Sequence, residues 1–255
     1  MRMKTLALSL LASLFVASPA LASVSEARSL LDEGRYAEAR VAALEERSVE
    51  SLNLAAEIMG AEIMLMTADD AKDTAKDGMK LASEALERDP ANTEARFLYA
   101  LHTGFRTRAS SPLGIVMGGW IGKTKDAIES FAAAAPGDPR ADALRGAWHL
   151  GIVRAAGDGK FDASLSEGMA RYDAAVAAMP GDVTVLSNYA FSLIVMDDPA
   201  LLPRAKVLME QLRGVEATNA FERETKARMM ALLAVVDEPE ALRSQAKALL
   251  NTQEE

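Results

Sequence analysis

The chain has 255 residues, is 50% hydrophobic but only 5% aromatic, and carries a formal net charge of −9 with no cysteine. The lack of cysteine excludes disulfides, cysteine–zinc sites, thiol nucleophiles and a lipoprotein anchor. The acidic balance gives the chain no electrostatic footprint for nucleic acid or an anionic bilayer, and few aromatics among many alanines suit closely packed helices.

The first residues read as an export signal. Arg2 and Lys4 precede an apolar run from Leu6 to Ala17, and Pro19 precedes a small-x-small site at Ala20-Leu21-Ala22. This pattern predicts a cleaved signal peptide over residues 1–22 and a periplasmic protein that starts at Ser23 and is not a lipoprotein. The run is too short to anchor the chain across a bilayer, and no later run approaches 18 apolar residues, so the exported protein is expected not to be membrane-embedded. Residues 23–255 carry a net charge of −11, since Arg2 and Lys4 are the only charged residues before them.

After Ser23, apolar residues recur at three- and four-residue spacing almost throughout, with no sustained β-branched alternation. The expected fold is therefore all-α, with about twelve helices. The first are predicted at Glu26–Glu33, Tyr36–Arg47, Ser51–Met66 and Asp69–Arg88; the last at Ala200–Arg213, Asn219–Val236 and Pro239–Asn251. The acid pairs Asp69-Asp70 and Asp197-Asp198 fall at helix boundaries, where they complement helix N-termini.

The middle of the chain repeats. When Pro90, Pro139 and Pro180 are aligned, Ala85, Ala134 and Ala175 lie five residues upstream. Ala82, Phe131 and Tyr172 lie eight upstream; Gly78, Ala127 and Gly168 lie twelve upstream. Tyr99, Trp148 and Tyr189 lie nine downstream, and Gly34–Arg40 starts a further degenerate copy. Small residues let two helices approach, the aromatic fills the hollow beside them, and proline stops one helix before the next. This spacing resembles the second helix and turn of the tetratricopeptide repeat over roughly residues 26–213. It departs from that family in its longer copies, which implies insertions, and in an aromatic placed one helical turn late. The resemblance implies a right-handed helical-hairpin solenoid spanning 23–255. The stretch Leu144–Asp158 is also similar to the helical repeats of the T-component of TRAP-type transporters and of regulator-of-microtubule-dynamics proteins.

Other candidate features have plainer readings. Gly118–Thr124 (GGWIGKT) looks like the end of a phosphate-binding loop, but the first glycine of that loop would fall on Met117, and no strand precedes it. No nucleotide, cofactor or metal is expected. The apolar, glycine-rich insertion at 110–122 is expected to pack onto neighbouring helices, the alternative being a pocket or docking element. His102 and His149 have no metal-ligand spacing and are expected to be partly buried and hydrogen-bonded. No common catalytic motif occurs, so no enzymatic activity and no catalytic residues are expected.

The resemblance places the concave groove on the first helix of each pair. It assigns to that groove Phe97, Leu101 and Gly104, then Gly146, Leu150 and Val153, then Ser187, Phe191 and Ile194, with Trp120 at its edge. An apolar groove holds a hydrophobic ligand or helix, or is filled by the protein itself. The leading expectation is a non-enzymatic scaffold that binds an unknown protein partner. The alternative is a carrier or accessory protein holding a small apolar ligand, as a transporter T-component would.

Overall fold

The computed structural model describes residues 19–65 and 70–251, with the backbone alone for 19–22 and 251. Residues 1–18 of the expected signal peptide, and Met66 and Asp69 at two expected helix ends, lie outside the described residues. The described chain is all-helical, with 13 helices and no strand. In order these are α1 (Pro19–Glu33), α2 (Tyr36–Leu44), α3 (Val49–Met64), α4 (Ala71–Arg88), α5 (Thr93–Arg108), α6 (Pro112–Gly118) and α7 (Trp120–Ala134). Then come α8 (Pro139–Ala156), α9 (Leu165–Ala178), α10 (Val183–Ile194), α11 (Leu202–Arg213), α12 (Ala220–Ala234) and α13 (Pro239–Asn251).

Polar caps set the starts of the main helices. Ser48, Asn92, Asp138, Asp182 and Asn219 each accept a backbone N–H of the first turn of α3, α5, α8, α10 and α12. Each side chain satisfies a donor that the helix cannot pair internally, worth about 1 kcal/mol. Asp70, Ser111 and Ser164 cap α4, α6 and α9 in the same way. Helices α3, α5, α8, α10 and α12 share a role in packing. Helix α1 touches α3, and contacts continue from α3 to α5, α5 to α8, α8 to α10 and α10 to α12; α12 then touches α1. Helices α2, α4, α7, α9 and α11 each pack against the member of this cycle that precedes them. The closing contact is specific. Arg228 of α12 also reaches α3, donating to the carbonyl of its cap residue Leu65 at 2.6 Å. Phe221 packs against the N-terminal core, and Ala220 lies against Gly34.

Close approach between neighbouring helices depends on glycine. A Cβ on Gly78 of α4 would lie 2.3 Å from the His102 ring of α5. One on Gly146 of α8 would lie 2.5 Å from the Tyr172 ring of α9, and one on Gly168 of α9 2.7 Å from Leu150 of α8. Tyr172 in turn stacks on Tyr189 of α10, with ring centroids 4.7 Å apart and planes 3° from parallel. Around this stack lies the larger core, with Leu186, Leu193, Leu208 and Leu212. A second core holds Leu52, Leu54, Ile58, Ala85 and Leu98, and a smaller one surrounds Trp148.

The caps correct the repeat alignment. Asn92, Asp138 and Asp182 each sit two residues after a proline, namely Pro90, Pro136 and Pro180, so Pro136 and not Pro139 marks the middle copy. Pro139 is instead the first residue of α8. The residues five before the prolines are then Ala85, Phe131 and Ala175, each with no exposed surface, whereas Ala134 is exposed. Phe131 takes the alanine's place and meets Phe97 of α5, with centroids 5.5 Å apart. Trp148 and Tyr189 are buried as expected and Tyr99 is half-buried, but Trp148 occupies the position of His102, not of Tyr99. Phe131→Ala should therefore cost about 3–5 kcal/mol. Ala134→Leu should stay within about 0.5 kcal/mol of wild type. Urea melts of the two variants check both values; a costly Ala134→Leu would restore the alignment on Pro139.

Candidate functional site

The residues assigned to a concave groove do not share one surface. Leu101 lies against Gly60 of α3. Phe97 sits under the Arg140 guanidinium, 4.3 Å from the ring centroid. Val153 packs at the edge of the Trp148 cluster, while Leu150, Phe191 and Ile194 belong to the larger C-terminal core. Trp120 is separate again, with Arg106 4.5 Å and Lys123 4.7 Å from its ring centroid. Most of these side chains fill helix–helix contacts. They lie on α5, α8 and α10, with Trp120 on α7.

Two clefts open elsewhere. One, of about 370 Å³, is bounded by Ala132, Ala133, Ala135 and Gly137 at the end of α7, Asp138 and Asp142 of the α8 start, and Ala174 and Ala178 of α9. It exists because α7 and α9 both pack on α8 and end in alanines, which cannot fill the space between them. Its carboxylates are all paired. Arg145 donates to Glu129 at 2.9 Å, Arg140 to Asp138 at 2.8 Å, and Arg171 to Asp142 at 3.1 Å. Hydrogen bonds from Arg145 and Arg140 hold Glu129 and Asp138 below the usual carboxylate range. They are fixed anions, the opposite of the raised carboxyl that an acid catalyst requires. The second cleft, about 640 Å³, lies along α4 and α5 between Lys76, Lys80, Glu84, Glu87, Tyr99 and Arg106.

The insertion at 110–122 differs from expectation. It does not tuck into the core: its residues 112–118 form α6, which has no buried residue and packs chiefly against α7. Leu113, Val116 and Met117 are 72%, 69% and 79% exposed. Trp120, Ile121 and Gly122 belong to α7, so the insertion ends at Gly119, whose φ of +63° supplies the left-handed turn between the two helices. Gly118–Thr124 thus forms the end of one helix and the start of another. Thr124 is buried, its hydroxyl donating to the Trp120 carbonyl at 2.8 Å.

The sequence matches no protein-family model and no curated protein.

Both histidines are structural. The backbone N–H of Ser164 donates to Nδ1 of His149 at 3.1 Å, and the ring meets Trp148 edge-on. Among the described residues no group of His, Asp and Glu is placed to hold a metal ion. His102 is fully buried, with Nε2 2.8 Å from the Ala56 carbonyl and no partner at Nδ1. The carbonyl requires the proton on Nε2, and burial pushes the pKa down to about 4. The unfolded chain then binds the imidazole proton more readily than the folded one, so stability falls as pH drops through the window from about 6.5 to about 4. The loss over that window is about 3 kcal/mol from this residue. His102→Gln should flatten the slope in denaturant melts between pH 7 and 4; an unchanged difference between wild type and variant across that range would refute the burial of a neutral ring.

Proposed function

We propose that this chain is an exported, non-enzymatic scaffold, built as a right-handed solenoid of degenerate tetratricopeptide-like hairpins, that acts in the periplasm by holding another protein. The observation that carries the reading is the succession of helices α3, α5, α8, α10 and α12, each touching the next. In helical-repeat proteins each unit leaves an apolar face that only its neighbour covers, and the array presents surfaces along its length for binding. The signal-like N-terminus supports export.

The alanine-walled cleft between α7 and α9 is the surface best suited to a partner. Its walls are small, so they leave room for another protein's side chains, and its rim is a fixed set of Arg–carboxylate pairs that offers directional hydrogen bonds. The division of the groove residues among separate clusters weighs for a protein partner over a small apolar ligand.

Native mass spectrometry of the protein purified from the exported fraction should show a second polypeptide. Ala133 and Ala174 are exposed on the cleft walls, so Ala133→Arg with Ala174→Arg should fill the cleft while moving stability by no more than about 0.5 kcal/mol per site. The double variant should lose the polypeptide. A retained small molecule without a polypeptide would support the carrier instead, and a partner indifferent to the double variant would remove the cleft from the account.

A further inference from the structure

Helix α6 combines three features that the scaffold reading does not use. It is well formed: the Ser111 hydroxyl accepts the Gly114 N–H, and Gly119 ends the helix in the left-handed region. It turns Leu113, Val116 and Met117, spaced as one helix face, out to solvent. And it sits in a basic stretch of an acidic protein. Between Glu94 and Asp126 there is no Asp or Glu, while Arg106, Arg108, Lys123 and Lys125 flank the helix in sequence.

The base of α6 is rigid. The Thr107 and Thr124 hydroxyls lie 2.8 Å apart and join the end of α5 to the start of α7. The Trp120 ring folds back onto Gly118, where a Cβ would lie 2.3 Å from the indole nitrogen. Arg106 and Lys123 lie over that ring, while Lys125 is paired with Asp162 at 3.7 Å and Arg106 also borders the α4–α5 cleft that holds Glu84 and Glu87. An indole with two cations at the foot of an exposed aliphatic face is the arrangement of a segment seated at a bilayer surface. The aliphatic groups enter the acyl boundary, the indole lies at headgroup level and the cations meet anionic headgroups.

We propose that α6 and its basic foot form a peripheral docking site for an anionic lipid surface. Patch size favours lipid over a protein partner. Three side chains offer on the order of 400 Å², about half of what one partner gives to a standard protein interface. A lipid surface needs no matching groove, and Arg106 and Lys123 at the Trp120 ring supply a local attraction that the chain as a whole, at −9, lacks. The proposal does not depend on the scaffold reading.

The test uses the full chain with Trp148→Phe, so that Trp120 is the single tryptophan, and vesicles of phosphatidylglycerol and phosphatidylcholine carrying brominated acyl chains. Trp120 emission should be quenched and shifted to the blue by the mixed vesicles and much less by phosphatidylcholine alone. Because Trp120 reports only this site, contact made by the apolar N-terminal run does not imitate the signal. Leu113→Asp with Met117→Asp should weaken the quenching titration on the order of a hundredfold, with the melting curve unchanged. Lys123→Glu should weaken it about tenfold and reduce its salt dependence. Unquenched Trp120, or quenching indifferent to the double Asp variant, overturns the proposal. So does a solution dimer that requires Leu113 and Met117 and excludes vesicles, which would make α6 a contact between two copies of this chain.

Discussion

The structure depends on how closely its neighbouring helices approach. Gly78, Gly146 and Gly168 each leave a hollow that a larger side chain of the facing helix occupies: His102, Tyr172 and Leu150. The gain is not local alone. Tyr172 reaches far enough past α8 to stack on Tyr189, and that stack couples α9 to α10 and to the C-terminal core. A methyl group at Gly146 would push Tyr172 off both contacts. Packed interiors respond to such changes by strain or displacement, because they hold no free volume to absorb them.

Close approach within the pairs lets the first helices meet one another in turn, and α12 completes the cycle by packing on α1. That closure decides where function can reside. The side chains assigned to a groove are mostly spent on contacts between helices, as Leu101 is on α3 and Ile194 in the C-terminal core. Besides the α4–α5 cleft, two accessible features stand out: the alanine cleft, where two outer helices fail to meet, and α6, whose Leu113, Val116 and Met117 are exposed. Both contain residue types that a single-domain core would ordinarily absorb.

The helical class was legible from apolar spacing, and the buried positions Ala85, Ala175 and Tyr189 from the recurrence of small and aromatic residues. Trp148 is buried too, but at a different position of the copy from Tyr99 and Tyr189. The middle copy was misread by three residues because Pro136 and Pro139 both stand near the turn, and because Phe131 replaces the alanine that defines the pattern elsewhere. A cap-based reading would have chosen Pro136, since Asp138 follows it as Asn92 follows Pro90 and Asp182 follows Pro180. The exposure of Leu113, Val116 and Met117 was not legible, because apolar residues between helices usually pack. Nor was the contact of α12 with α1, which joins segments nearly two hundred residues apart and leaves no trace in local periodicity. His102 shows the same limit: its pocket is made by Gly78 and Ala56, two residues on two other helices.

One comparison tests the glycine sockets most directly. Helix α8 holds two interior glycines, Gly146 against Tyr172 and Gly151 with nothing within 4 Å of where its Cβ would lie. Glycine-to-alanine changes at both sites give the same gain in helix propensity, about 0.5–1 kcal/mol, and differ in what the methyl meets. In denaturant melts Gly151→Ala should stabilise the protein by that amount, while Gly146→Ala should destabilise it by about 1–3 kcal/mol. Equal stabilisation by both would contradict the account, for it would mean that α8 and α9 do not depend on a close approach at Gly146.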